Sequence, residues 1–154
     1  MDDAPLTKLH PNYVTVQRIA AALGMLPFLA GAIAVEIADL IPAGLIFVPF
    51  VLLALVSVAL IPARKYRSRG YDMAVDRLRV VKGVLFHADT IVPFSRVQHI
   101  DVEQGPIERA FGIARLILHT AGTHNSSVTL PGLGHADAVA MREEIRAHVK
   151  RESL

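Results

Sequence analysis

Cysteine is absent from the 154 residues, which rules out disulfides, thiolate metal sites and a thiol nucleophile and suits a reducing compartment. Charge is scarce in the first 62 residues, where Lys8 and Arg18 stand against Asp2, Asp3, Glu36 and Asp39. The chain lacks a compact basic start, and no small-residue cleavage pattern separates the first apolar run from a second equally apolar one. A cleaved signal peptide is therefore not expected, and both runs should persist in the mature protein. A strong basic excess is missing too. Residues 63–154 hold 14 Lys/Arg against 10 Asp/Glu, and the whole chain carries +2. That balance is too modest and too evenly mixed to argue for nucleic acid as a partner. No internal repeat is visible.

What the chain does have is two long apolar runs. Ile19 to Val35 holds 17 residues without a charge, and Leu40 to Ile61 holds 22. The first extends from about 14 to 35 if Arg18 snorkels to the headgroups. At about 1.5 Å of rise per residue the second is about 33 Å long, enough to cross a hydrocarbon layer. A buried hairpin in a soluble domain is the competing reading. Core helices rarely stay uncharged for so long, whereas backbone in lipid must satisfy its own hydrogen bonds and so forms long helices. Residues 1–62 are thus read as an N-terminal segment plus two transmembrane helices, about 14–35 and 40–61. Pro42 falls where a helix start tolerates it, Pro27 and Pro49 should bend their helices, and Ala20 with Gly24 offers a small-xxx-small contact.

Arg64, Lys65, Arg67 and Arg69 follow the second run at once, while the link between the runs carries only Glu36 and Asp39. Cations near membrane ends are retained on the cytoplasmic side, so both termini are placed in the cytoplasm and the link outside. The same four cations are candidate headgroup binders, with topological anchoring as the simpler role.

After Pro62 short segments alternate with turn residues, the pattern of an antiparallel β domain over 63–154. Strands are expected at Arg64 to Met73, around Leu78 and Val80, at Leu85 to Val92 and at Val97 to Glu103. A bulge is expected near Gln98, because Val97 is out of phase with Ile100 and Val102. Further strands fall at Ala114 to Thr120 and around Val128 and Leu130. Ala138, Met141, Ile145 and Val149 recur at spacings of 3, 4 and 4, which places one apolar stripe on a helix from about His135 to Arg151.

Constellations that would carry chemistry are thin. His99, Asp101 and Glu103 alternate on one strand, and with His119 alongside they would offer metal ligands. Residues two apart on a strand lie about 6.8 Å from each other, too far for one ion without neighbours. Ser95, His99 and Asp101 lack a nucleophile elbow and an oxyanion loop. The polar stretch from Gly122 to Ser127 has one Gly and no Lys, so it reads as a turn and not as a phosphate loop.

The stretch Pro93-Phe-Ser-Arg96-Val-Gln98-His-Ile-Asp-Val-Glu-Gln104-Gly-Pro-Ile-Glu-Arg109-Ala-Phe111-Gly112-Ile-Ala114 resembles the signature of membrane-anchored bacterial pleckstrin-homology (PH) domain proteins, the YdbS-like family. Leu130-Pro131-Gly132-Leu133 before a terminal amphipathic helix resembles that family's ending. Where the family shows Ser followed by Pro or acids at the helix start, this chain has Gly134-His135, a weaker cap. The resemblance implies an α+β membrane protein: a two-helix transmembrane hairpin, then a PH-like β-barrel or sandwich of seven strands capped by a C-terminal helix. It brings no catalytic residue, cofactor or metal. It implies an integral inner-membrane protein, not an enzyme, that presents its domain to another membrane protein, such as a longer relative with several PH-like domains, or to a second copy. Anionic-lipid binding at the cytoplasmic leaflet is the alternative. Arg96 and Arg109, inside the motif, would contact a partner or pair with Asp101 or Glu108 to hold the fold.

Overall fold

The computed structural model describes residues 5–122 and 127–152. Helix α1 spans Asn12–Ile37 and helix α2 spans Phe47–Arg67. They form a hairpin tied at its open end by Arg18, whose Nη2 donates to Ala59 O at 3.5 Å. At its closed end Gly44 N donates to Glu36 Oε1 at 2.7 Å. The second helix begins seven residues later than Leu40 and ends six later than Ile61. Residues 40–46 are apolar yet non-helical, because Asp39 and Gly44 adopt positive φ and Pro42 lies between them. Pro49 then falls in the first turn of α2, where no intrahelical N–H is lost. The groove between the helices is lined by Ala22, Met25, Leu26 and Leu29 of α1. Gly24 has nothing near it, so the Ala20/Gly24 pair is not the hairpin seam.

Both helices expose apolar side chains along their length, among them Leu23, Leu26, Phe28, Leu52, Leu53 and Leu55. The most apolar stretches of the two helices have mean hydropathies of 1.9 and 2.2, and only 6% of each is buried. A core helix of a soluble protein would bury that surface, so the exposed belt is what lipid would cover.

The β domain has two three-stranded antiparallel sheets. The first is β1 (Gly70–Met73), β2 (Arg77–Lys82) and β3 (Ala88–Pro93) in that order. The second is β4 (Val97–Glu103), β5 (Ile113–Thr120) and β6 (Ser127–Gly134). A short helix α3 (Pro106–Ala110) joins β4 to β5, and α4 (His135–Glu152) closes the domain. Ala138 and Ile145 are fully buried and Met141 nearly so, with Val149 at the margin, so the apolar stripe faces the sheets. The expected bulge is present, since the β4–β5 register shifts between Val97 and His99.

Two strand expectations are corrected. Arg64 to Arg67 belong to α2, whose helix runs on past Pro62, and the first strand starts only at Gly70. Leu85 to His87 form the tip of the β2–β3 hairpin and not the start of β3. Six strands form among the described residues, where seven were implied. In addition, Thr7 makes a bridge to Tyr71 at the edge of β1, with N–H donors in both directions at 2.7 and 3.0 Å.

That bridge belongs to a larger contact. Leu9, Tyr13 and Val16 are buried in the same core as Leu78, Phe94, Ile113, Leu116, Leu118 and Leu130. His10 N donates to Gly132 O at 2.7 Å, and Asn12 Nδ2 donates to Phe111 O at 3.0 Å. The segment before the first helix and that helix's opening turn are thus structural parts of the β domain. Gly132 explains itself here. Its φ is +70°, and a Cβ on it would lie 2.9 Å from two atoms of the Tyr13 ring, so only glycine admits the ring.

Candidate functional site

The four cations after the second run do not act as one patch. Helical spacing splits them. Lys65 and Arg69, four apart, face a cleft between the start of α1 and the sheets, while Arg64 and Arg67, three apart, border a groove against the β2–β3 tip.

The cleft is a cavity of about 350 Å³. Lys65 enters it from the end of α2, Arg69 from the link between α2 and β1, Lys82 from the end of β2 and Arg115 from β5; Glu108 of α3 is its carboxylate and Tyr13 its aromatic wall. Two of the cations are engaged. Arg69 Nη1 donates to the Tyr13 hydroxyl at 2.6 Å, and its guanidinium carbon sits 5.8 Å from the centre of that ring. Arg115 Nη2 donates to Glu108 Oε2 at 3.0 Å, and the same oxygen accepts the Gly105 N–H at 2.6 Å. Glu108 therefore satisfies an orphan donor at the start of α3 while it holds Arg115. Arg115 Nε is buried without a hydrogen-bond partner, and among the described residues the side chains of Lys65 and Lys82 have no polar partner. Four cations against one carboxylate leave the cleft electropositive, which suits an anion.

On the far sheet the β4–β5 register sets His99 opposite His119. Asp101 lies between them. His99 Nε2 is 2.9 Å from its Oδ1 and His119 Nε2 is 3.1 Å from its Oδ2, with the two rings 5.9 Å apart. Each imidazole meets a different carboxylate oxygen through its Nε2, so one nitrogen of each ring is engaged by Asp101. Among the described residues no group of three or more His, Asp or Glu side chains has the arrangement to hold a metal ion. Glu103 lies opposite Arg115 and away from this cluster. Ser95 is exposed on the short 3-10 turn before β4, with no hydrogen bond to His99 or Asp101.

Arg96 closes the same turn and Arg109 lies in the last turn of α3; both are exposed. Neither pairs with Asp101 or Glu108, since Asp101 is taken by the two histidines and Glu108 by Arg115. The polar turn expected over Gly122 to Ser127 lies mostly outside the described residues.

Sequence reasoning missed Tyr13, Lys82 and Arg115. The spacing of 4 and 3 in Leu9, Tyr13 and Val16 matches a helical period and runs into the first apolar stretch, and it was the available signal for Tyr13, although Leu9 itself lies before the helix. Lys82 and Arg115 reach the cleft only through the pairing of the sheets, which leaves no local trace.

Three comparisons bear on identity. A family model described as "Bacterial PH domain" matches residues 19–149, a span that includes most of α1 and all of α2. A protein named UPF0699 transmembrane protein YdbS, from Bacillus subtilis (strain 168), is 29% identical over 92 residues, which cover 60% of this chain and 56% of that protein. The chain thus spans about half the length of the curated relative it matches. A crystal structure of a DUF1696 family protein with a pleckstrin-homology domain, from Shewanella loihica PV-4, aligns with a TM-score of 0.41 at 19% identity, covering 53% of this chain and 70% of that one. With a family match over most of its length and two exposed apolar helices, the chain is a membrane protein that belongs to the bacterial PH domain family.

Proposed function

We propose that this protein is a non-enzymatic element of the bacterial inner membrane that presents its PH-like domain, on the cytoplasmic side, to another membrane protein. A longer relative with several such domains, or a second copy, fits that role. The observation that carries the reading is the clasp between anchor and domain. The Thr7–Tyr71 bridge, the Lys8 Nζ donation to Arg67 O at 3.0 Å and the Arg69–Tyr13 bond hold the domain to both helix ends. A domain fixed in this way offers one constant face at the bilayer, as a docking platform requires and a loose tether would not provide. The cytoplasmic side is supported by Arg64, Lys65, Arg67 and Arg69 at and just after the end of α2, against Glu36 and Asp39 at the link.

Affinity purification of the full chain from native membranes in mild detergent tests the partner; recovery of the protein always alone would overturn it. Orientation has its own test. Val75→Cys supplies a single thiol on an exposed turn of a chain that has none. It should react with a membrane-impermeant maleimide only after the cells are broken, and labelling of intact spheroplasts would reverse the topology.

A second reading, binding of an anionic headgroup, is favoured by the basic cleft beside α2. Each cation near an anionic leaflet contributes on the order of 1 kcal/mol. In nanodiscs the full chain should enrich phosphatidylglycerol around itself, and Lys65→Glu with Lys82→Glu should abolish the enrichment. Indifference to anionic lipid and to salt would sink this reading.

A further inference from the structure

The tip of the β2–β3 hairpin exposes three consecutive apolar side chains, Val84 at 47%, Leu85 at 89% and Phe86 at 88%. We propose that this tip is a lipid-contacting wedge, seated at the boundary of headgroups and acyl chains in the leaflet from which α2 emerges. The inference rests on the reading of α2 as a membrane span.

Three observations converge on it. The first is direction. Gly70, where β1 begins, pairs with Val81, so the hairpin beyond Val81 overhangs the start of β1 and turns back toward the helix. At about 3.3 Å per residue the overhang reaches roughly 7–10 Å. The second is level. Val84 and Leu85 share a groove with Arg64, Arg67 and Ser68, so the tip lies beside the last turns of α2. Arg64 is the first charge after the uncharged stretch of that helix, three residues past Ile61, or about 4.5 Å of rise. The tip therefore sits at the depth where the hydrocarbon ends. The third is layering. Among the described residues the side chains of Arg64 and Arg67 have no polar partner, and they flank an apolar tip. Cations reaching for phosphates next to apolar groups reaching for acyl chains match the two zones of a lipid interface.

The shape of the tip is built in. A Cβ on Gly83 would clash with the Phe86 carbonyl oxygen, so the turn closes only with glycine there. The opposite end of the same sheet makes a contrast, because Val75 is 84% exposed on the turn between β1 and β2 but stands alone. An isolated exposed apolar residue needs no explanation, whereas a run of three beside a membrane exit does.

Absence of cysteine makes the test direct. The full chain, carrying Phe86→Cys, Val75→Cys or Leu53→Cys, is labelled with an environment-sensitive nitrobenzoxadiazole dye. Each variant is reconstituted into vesicles of phosphatidylethanolamine and phosphatidylglycerol. The label at 86 should be blue-shifted, shielded from aqueous iodide and quenched by a lipid with a shallow acyl spin label several-fold more strongly than the label at 75. Leu85→Cys repeats the measurement with Phe86 retained. If 53 is quenched by deep spin labels while 86 behaves like 75, the wedge is overturned and the span stands. If 53 is also open to iodide, both fall. Shielding of 86 in native membranes but not in pure lipid would mean that a protein covers the tip, and would overturn the lipid assignment.

Discussion

Single residues show how tightly the anchor and the domain are fitted. Gly132 lies under the Tyr13 ring with a left-handed backbone, so a methyl there meets both strain and a clash. Gly132→Ala should lower stability by about 2–3 kcal/mol. Thermal unfolding of the full chain in detergent would read this, and an unchanged transition would mean that the ring does not seat as described. Tyr71, on β1, gives a pH signature. Burial, and then the charge of Asp137, push its phenol above the ordinary value of 10.0. An acid with a raised folded pKa keeps its proton longer in the folded state. Its contribution is complete below the unfolded value and is lost as pH rises through the folded one. Tyrosine absorbance should therefore show a component that titrates above the ordinary value, and Asp137→Asn should move it down. The Arg79–Asp89 pair, bidentate at 2.6–3.1 Å, holds that carboxyl below its usual range. It is solvent-exposed and screened, so its loss should be nearly silent.

Elements differ in how far the sequence announces them. The helix α4 was legible because its stripe repeats at helical spacing over an otherwise polar surface, and Ile145 at its centre is fully buried. Ile145→Ala should cost about 2–4 kcal/mol in the same unfolding assay, and a neutral result would place α4 off the sheets. The bulge after Val97 was legible for a related reason, since a slip in period-2 alternation has one structural meaning. Helix α2 was legible in kind but not in register. Leu40 to Ile46 are as apolar as the helix itself, and hydropathy does not distinguish a turn inside lipid-facing sequence from a helical one. Leu85 to His87 misled in the opposite sense: apolar residues read as strand when they belong to a hairpin tip, because burial is not their purpose. Of the cleft, Lys65 and Arg69 were visible as cations after a span. Lys82, Arg115 and Tyr13 arrive from distant parts of the chain by tertiary pairing, for which no local pattern exists.

For the whole molecule the consequence concerns where the folding unit begins. A fragment of residues 63–154 loses Leu9, Tyr13 and Val16 from the core and Thr7 from the edge of β1. Three apolar side chains at about 1.5–3 kcal/mol each approach the entire stability of a small domain. That fragment should be aggregated or molten, with poor near-ultraviolet circular dichroism, and addition of a peptide of residues 5–18 should restore part of it. A well-folded, monomeric fragment would contradict the shared core. The bond from His10 N to Gly132 O also has a bearing on biosynthesis. Its donor precedes both helices and its acceptor follows them. Donor and acceptor must therefore meet on one side of the bilayer, so the domain closes only around a hairpin that has crossed and returned.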